Sequence, residues 1–283
     1  LNRRRTVRVP ASSANLGPGF DVMGAALDLH MEVDVVETGE FAVHTDLQIA
    51  RDRRNLIVRG FAALHPPDDF EFTIRSDIPL SGGLGTSAAA IVAGLVAADS
   101  IFELGADVLG EATRIEGHPD NVAAALLGGF VLCTDDHAER FEPPPDLECL
   151  LVIPEQAVRT QKAREALPSR IPVSDAVFNI AHASLLVLGL ARGDLDLVSR
   201  GLGDRIHQPR RAHLYPRSWD LVQSAKSIGA LGATISGAGP TVLVWCDVAS
   251  TGAVFERLHT VADGWAEVRR VPFTGTGADV RSL

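Results

Sequence analysis

Apolar and polar residues alternate with period two along Met31 to Val36 (MEVDVV) and along Phe70 to Ile74 (FEFTI), which predicts two half-buried strands. Thr6 to Val9 (TVRV) predicts another short strand. After it comes a turn-rich segment, Pro10 to Asp21 (PASSANLGPGFD), where Gly17-Pro18-Gly19 must break regular structure. From Thr86 to Glu103 apolar residues run almost without interruption, and the length predicts a buried helix. Two further helices are expected, over about Asp107 to Glu116 and Asp120 to Leu127. The first is stopped by Gly117-His118-Pro119 and the second by Gly128-Gly129. Phe130 to Thr134 reads as a strand. Pro143-Pro144-Pro145 cannot continue a helix or a central strand and divides the chain into residues 1–145 and 146–283. The second half predicts strands at Leu147 to Ile153 and Thr241 to Cys246, with helices near Asp175 to Leu190 and Ser218 to Ile228. Strands and helices alternate without a regular βαβ rhythm, so the expected class is α+β in two lobes.

Charge narrows the function. With 26 Lys and Arg against 36 Asp and Glu, the chain of 283 residues carries a net charge of −10. That balance excludes a general nucleic-acid binder, which needs a positive footprint, but leaves room for a local basic pocket. The three cysteines, Cys133, Cys149 and Cys246, are widely spaced and form no CxxC, so neither a disulfide framework nor a zinc knuckle is expected. No HExxH supports a transition-metal site. No uninterrupted apolar run reaches the roughly 18 to 20 residues that span a bilayer. The expectation is a soluble, cytoplasmic protein acting on a small molecule, with no membrane or nucleic-acid partner.

One stretch demands a reason of its own. Pro79-Leu80-Ser81-Gly82-Gly83-Leu84-Gly85-Thr86-Ser87-Ala88 puts three glycines and several hydroxyls directly before the apolar helix. Fixing a glycine backbone is costly, so something must compensate. In one reading the loop cradles phosphate, using glycine-exposed amides and the positive end of the helix, with Thr86 and Ser87 adding hydroxyls. In the other it is a tight turn whose Ser or Thr caps the helix. GxxxxGK[ST] is absent, and GxGxxG fails because Ala88 occupies its last slot, which disfavours a dinucleotide-dependent oxidoreductase.

The same ten residues resemble the phosphate-binding motif of the GHMP small-molecule kinases. Pro10 to Asp21 is similar to that family's N-terminal substrate loop, and Ile235 to Val242 (ISGAGPTV) to its C-terminal glycine motif. Three motifs in order over nearly the whole chain make the resemblance specific. Within the family, Ala14 to Asp21 (ANLGPGFD) and Glu116 to Asn121 (EGHPDN) are most similar to the homoserine kinases. The resemblance implies a ribosomal-S5-domain-2-like N-terminal lobe and a ferredoxin-like C-terminal lobe. It also implies ATP and magnesium as cofactors, and transfer of phosphate to the hydroxyl of L-homoserine for threonine synthesis. Threonine, an isoprenoid alcohol, or a catalytically silent sensor role are the alternatives, and a homodimer is an expectation carried by the resemblance alone.

Site residues carry over by matching motif. Residues 79–88 would hold the nucleotide phosphates, and Asn55, in an Asn-Leu segment, would lie near the adenine. Asn15, Asp21, His118 and Asn121 would border the substrate and the transferred phosphoryl group, with Gly237 and Gly239 nearby. Thr160 and Arg164, in a Thr-x-x-x-Arg segment, and Arg211 would meet the substrate carboxylate. Magnesium would take a glutamate, Glu116 or Glu111, and a hydroxyl, Ser87 or Thr86. Other family members carry an aspartate where Asn121 falls. An amide cannot take a proton, so catalysis would rest on positioning and charge stabilisation. This chain departs from the pattern at Gly82, where homoserine kinases often carry an arginine, and at Thr86, where they often carry serine.

Overall fold

The computed structural model describes residues 3–80, 82–134, 137–156, 158 and 160–281. The chain runs β1 (Arg4–Ala14), β2 (Met23–Glu37), β3 (Ala42–His44), α1 (Leu56–Leu64), β4 (Phe70–Ser76), α2 (Thr86–Phe102), α3 (Val108–Glu116), α4 (Pro119–Leu127), β5 (Phe130–Cys133) and β6 (Ala138–Phe141). It continues through β7 (Leu147–Pro154), α5 (Thr160–Glu165), α6 (Val173–Arg192), α7 (Leu195–Gly201), α8 (Gln208–Arg211), α9 (Pro216–Ser224), β8 (Gly232–Ile235), β9 (Val242–Asp247), α10 (Thr251–Ala262), β10 (Ala266–Arg270) and β11 (Asp279–Arg281).

The first sheet has the order β11-β1-β2-β4-β3, and β5 and β6 extend it from the beginning of β2. Alternation explains its two faces. Met31, Val33 and Val35 of β2 are buried, while Glu32 and Asp34 both take Arg75 of β4 on the other face, at 2.7 and 2.6 Å. The buried face carries α2. That helix is apolar all round because it packs against β1, α1, α3 and α4. Gly60 and Gly94 let α1 and α2 approach at backbone distance: a Cβ on Gly94 would lie 2.0 Å from the Ile57 carbonyl oxygen.

The second sheet has the order β10-β7-β9-β8, the ferredoxin-like arrangement, with α10 joining β9 to β10. Its central strands are apolar apart from Glu148 and Asp247 near their ends, because both faces are covered. Cys149, Leu151 and Trp245 face the core shared with the first sheet, whereas Leu150, Val152 and Val244 face α9 and α10. Trp245 stacks on Phe130 of β5, 6.1 Å between ring centres, and on Phe273, so aromatic contacts tie the sheets together. The three cysteines are free and buried.

The structure departs from the sequence reading in three places. Pro10 to Ala14 is strand, not turn: β1 continues through a bulge at Pro10/Ala11, a position that tolerates proline. The last segment does not stay with the second lobe. Residues 272–281 return to the first sheet, where Phe273 bridges Leu27 and β11 pairs with β1. Finally, α6 is, by length and composition, able to cross a membrane. It packs on α7 along one side, with Asn179 bonded to the Pro18 carbonyl and Asp175 paired with Arg210, while Val173, Val177, Ile180 and Leu188 are exposed.

The α1–α2 contact gives a test. Gly94→Ala would gain about 1 kcal/mol of helix propensity but force a methyl into backbone atoms, at a cost of about 1–3 kcal/mol. The clash should win, and the urea unfolding midpoint should fall. A midpoint unchanged or raised would show that the helices are not in backbone contact there.

Candidate active site

Strand β4 leads through Pro79 and the glycine loop into α2. Gly85 is the residue before the helix, at φ +67°, and a Cβ there would meet Ser12 Oγ at 2.0 Å. Among the described residues no side chain caps the helix. Thr86 Oγ1 donates to the Pro79 carbonyl (2.9 Å) and Ser87 Oγ to Glu116 Oε2 (2.6 Å), so both hydroxyls are turned away from the first-turn amides. Those amides have no helical acceptor and carry the positive end of the helix dipole. The capping alternative therefore fails, and an anion cradle fits the observed geometry.

Two segments that are distant in sequence hold this loop. Ser12 N–H donates to the Leu84 carbonyl, and Thr241 N–H donates to the Gly82 carbonyl. Ser236 Oγ donates to the Gly83 carbonyl at 2.6 Å and sits 2.8 Å from Ser13 Oγ. A Cβ on Gly83, at φ +82°, would strike the Ser236 carbonyl oxygen at 2.3 Å. Asn15 Nδ2 donates to the Gly237 carbonyl (2.8 Å), and Asn15 Oδ1 accepts from Asp21 N–H (3.0 Å), which folds the substrate loop against the C-terminal glycine motif.

The cavity beside this junction measures about 470 Å³. At one end Leu47, Ile49, Leu56 and Leu80 give an apolar lining, and at the other stand Asp21, His118, Asn121, Thr160, Arg164 and Arg211. Asp21 (φ +56°) pairs with Arg164 through both carboxylate oxygens, at 2.8 and 3.0 Å. Arg211 differs. It is only 2% exposed, and among the described residues it has no carboxylate within ion-pair distance. Its Nε donates to the Ala163 carbonyl, and burial pulls the guanidinium below its ordinary value. A buried cation without an anion, in a cavity wall, is a site for an incoming carboxylate or phosphate.

His118 precedes α4, with Nδ1 3.2 Å from the buried Asp120 carboxylate. That hydrogen bond holds the imidazole above its ordinary value against the opposing effect of burial. Asn121 Oδ1 accepts from Ser12 Oγ at 2.9 Å, which ties this turn to β1.

The structure does not gather every residue singled out from the sequence. Glu111 is engaged by Arg114 on the surface of α3 and stands outside the cavity, whereas Glu116 reaches it and bonds Ser87. Asn55 lines the apolar end, but its amide is spent on capping α1 at Ile57 N–H and on the Ala50 carbonyl. Leu84 and Ala88 place their side chains in the core, so only their backbone can serve a ligand. Pro79 and Gly239 support neighbouring turns without lining the cavity. Ser81 lies outside the described residues. The sequence reading gave no role in the site to Ser12, Ser13, Ser236 or Phe20, since single hydroxyls and rings in turn-rich segments carry no spacing signal.

An uncapped helix start beside a cavity lined by charged side chains, on this two-lobed α+β scaffold, suits a protein that binds small anionic molecules. Models of the GHMP kinases N-terminal domain and the GHMP kinases C-terminal domain match residues 55–129 and 186–262. The homoserine kinase of Moorella thermoacetica is 40% identical over 256 residues, 85% of this chain and 86% of that protein. The homoserine kinase of Deinococcus radiodurans is 41% identical over 275 residues, 90% of this chain and 89% of that one. The crystal structure of homoserine kinase from Cytophaga hutchinsonii aligns with a TM-score of 0.89 at 29% identity, covering 99% and 98% of the two chains. The chain belongs to the GHMP kinase family, and with the family comes ATP as co-substrate.

The His118–Asp120 contact makes a titration prediction. Because the folded value is raised, the stability that the protonated imidazole contributes is complete below about pH 6.5 and is lost as the pH rises through the folded value. In an NMR titration the His118 midpoint should lie above 6.5, and Asp120→Asn should lower it. An unmoved midpoint in the variant would remove Asp120 as the cause.

Proposed function

We propose that this protein is a homoserine kinase, transferring the γ-phosphoryl group of ATP to the side-chain hydroxyl of L-homoserine to give ADP and O-phospho-L-homoserine. One observation carries the reading. The unpaired amides at the start of α2 share a cavity with the buried, unpaired Arg211 and with the Asp21–Arg164 pair. The amides suit a triphosphate, and the two arginines and the carboxylate suit an amino-acid zwitterion. An isoprenoid alcohol has no ammonium to offer Asp21, and Arg211 and Arg164 would lie idle against its hydrocarbon.

In this assignment the triphosphate rests on the amides around Gly83 to Ser87, with the nucleoside toward Leu47, Ile49 and Leu56. Arg211 and Arg164 take the substrate carboxylate and Asp21 the ammonium, which brings the hydroxyl toward Asn121 and His118. The hydroxyl oxygen forms the new bond to phosphorus as the bond to ADP breaks, and its proton passes to a phosphoryl oxygen or to water. Asn121 cannot accept the departing proton, and Asp120 keeps His118 in its protonated form to higher pH. These groups therefore orient the hydroxyl and stabilise charge rather than remove a proton. Ser87 and Glu116 offer a hydroxyl and a carboxylate, hard oxygens at the edge of the phosphate cradle, and fit a magnesium ion. When bound, the ion would neutralise phosphate charge. Glu111, held by Arg114, does not compete for it.

An ADP-release assay offering L-homoserine, L-threonine and mevalonate in turn tests the reading. Homoserine should be turned over fastest, and absence of turnover on all three would overturn the assignment. Arg164→Ala removes a charge-assisted contact of about 1.5–3 kcal/mol, so the KM for homoserine should rise about 10- to 100-fold while that for ATP holds. Equal loss of both would place Arg164 outside the amino-acid site. Glu116→Gln should raise the magnesium concentration needed for half-maximal rate, and Glu111→Gln should not.

A further inference from the structure

Behind the cavity wall lies a buried polar assembly in the segment Asp204 to Arg211 (DRIHQPRR), which also carries the site arginine. Asp204 sits in the turn before α8, fully buried. It accepts from the backbone N–H groups of Ile206 (2.8 Å) and Gln208 (2.7 Å) and from Asn179 Nδ2 of α6 (2.8 Å). His207, also fully buried, is therefore fixed at both backbone and ring. Its Nε2 lies 2.7 Å from the Gly17 carbonyl, its Nδ1 lies 3.2 Å from Arg211 Nη1, and its ring packs 5.4 Å from that of Phe20.

The partners determine the tautomer. A guanidinium has hydrogens and no lone pair, so at the Nδ1 contact Arg211 must donate and Nδ1 must be bare. A carbonyl can only accept, so Nε2 must carry the hydrogen. Burial keeps the ring in this uncharged form, holding its pKa below the ordinary value. Arg211 is thus held at Nε by the Ala163 carbonyl and at Nη1 by His207 and the Gly237 carbonyl. Its Nη2 is left in the cavity wall without a protein acceptor among the described residues.

We propose that Asp204 and His207 are positioning residues for the amino-acid end of the site: the imidazole couples the Arg211 guanidinium to the Gly17 carbonyl, so that the carboxylate-binding cation and the substrate loop are set as one unit. The proposal rests on the reading that an amino acid occupies this end. Asp204 anchors the turn, His207 transmits its position, and Arg211 alone meets the substrate. On the nucleotide side the chain of contacts reaches only the Gly237 carbonyl, through Arg211, so its main effect falls on the amino-acid substrate.

Three variants and one measurement on the unmodified protein test it. His207→Phe keeps the ring volume but removes both ring contacts. The KM for homoserine should rise about 10- to 100-fold with the KM for ATP within about twofold. His207→Asn retains an acceptor near the Nδ1 position and should recover most of the loss, and Asp204→Asn should raise the same KM alone. If the variants leave the homoserine KM unchanged, or move both KM values and kcat together, the residues are merely structural. Nitrogen NMR of the full-length protein needs neither variant nor turnover. At neutral pH His207 should show a protonated Nε2 and a bare Nδ1, and both nitrogens protonated would overturn the coupling. Lack of turnover with homoserine would defeat the functional reading while leaving this NMR result to be judged by itself.

Discussion

The structure depends on a junction where three stretches of main chain come closer than side chains would permit. Gly83 lies against the Ser236 carbonyl and Gly85 against Ser12, while Ser236 Oγ closes the contact onto Gly83. Ser12, Ser13 and Ser236 are buried, so each must find a polar partner, and each finds one at this junction. The junction consequently belongs to no single lobe. Its helix comes from the first sheet's side, its clamp from the second sheet, and its floor from β1. A cavity built this way can exist only when both lobes are folded and docked, which the shared core around Trp245, Phe130 and Phe273 secures.

The amino-acid end depends on strain and on an uncompensated charge. Asn15, Leu16 and Asp21 all have positive φ, each at a cost on the order of 1–3 kcal/mol, and the Asn15 hydrogen bonds to Gly237 and Asp21 hold them there. Arg211 is kept buried without a counter-charge, so the folded protein carries an unfavourable term that a carboxylate relieves. Because loop, cation and glycine motif are already in place, little ordering remains to be done on binding. Asp21 and Arg164 neutralise one another, so this wall of the cavity presents both charges as one pair.

Periodicity and punctuation made much of this legible. The all-apolar run of α2, the alternation of β2 and β4 and the Gly117-His118-Pro119 stop each correspond to an observed element. α1 went unread because Leu56 to Leu64 is a nine-residue segment interrupted by Gly60, and that glycine is present for contact with α2, a tertiary reason that no local signal carries. The return of residues 272–281 to the first sheet was equally hidden, since pairing across the whole chain leaves no mark in either segment. Of the site, the glycines and arginines stood out by motif. The serines of the junction did not, and the segment Asp204 to Arg211 stood out only for its arginine, because the other groups satisfy one another in three dimensions. The choice between Glu116 and Glu111 needed the fold: the two are five residues apart, and only the observed geometry directs one to Ser87 and the other to Arg114.

A crystal structure with a non-hydrolysable ATP analogue and L-homoserine would weigh the phosphate cradle most directly. The triphosphate should lie on the main-chain N–H groups between Gly83 and Ser87, with the amino-acid carboxylate on Arg211 and Arg164. A triphosphate bound elsewhere, with those amides facing only water, would contradict the assignment of this junction as the catalytic centre.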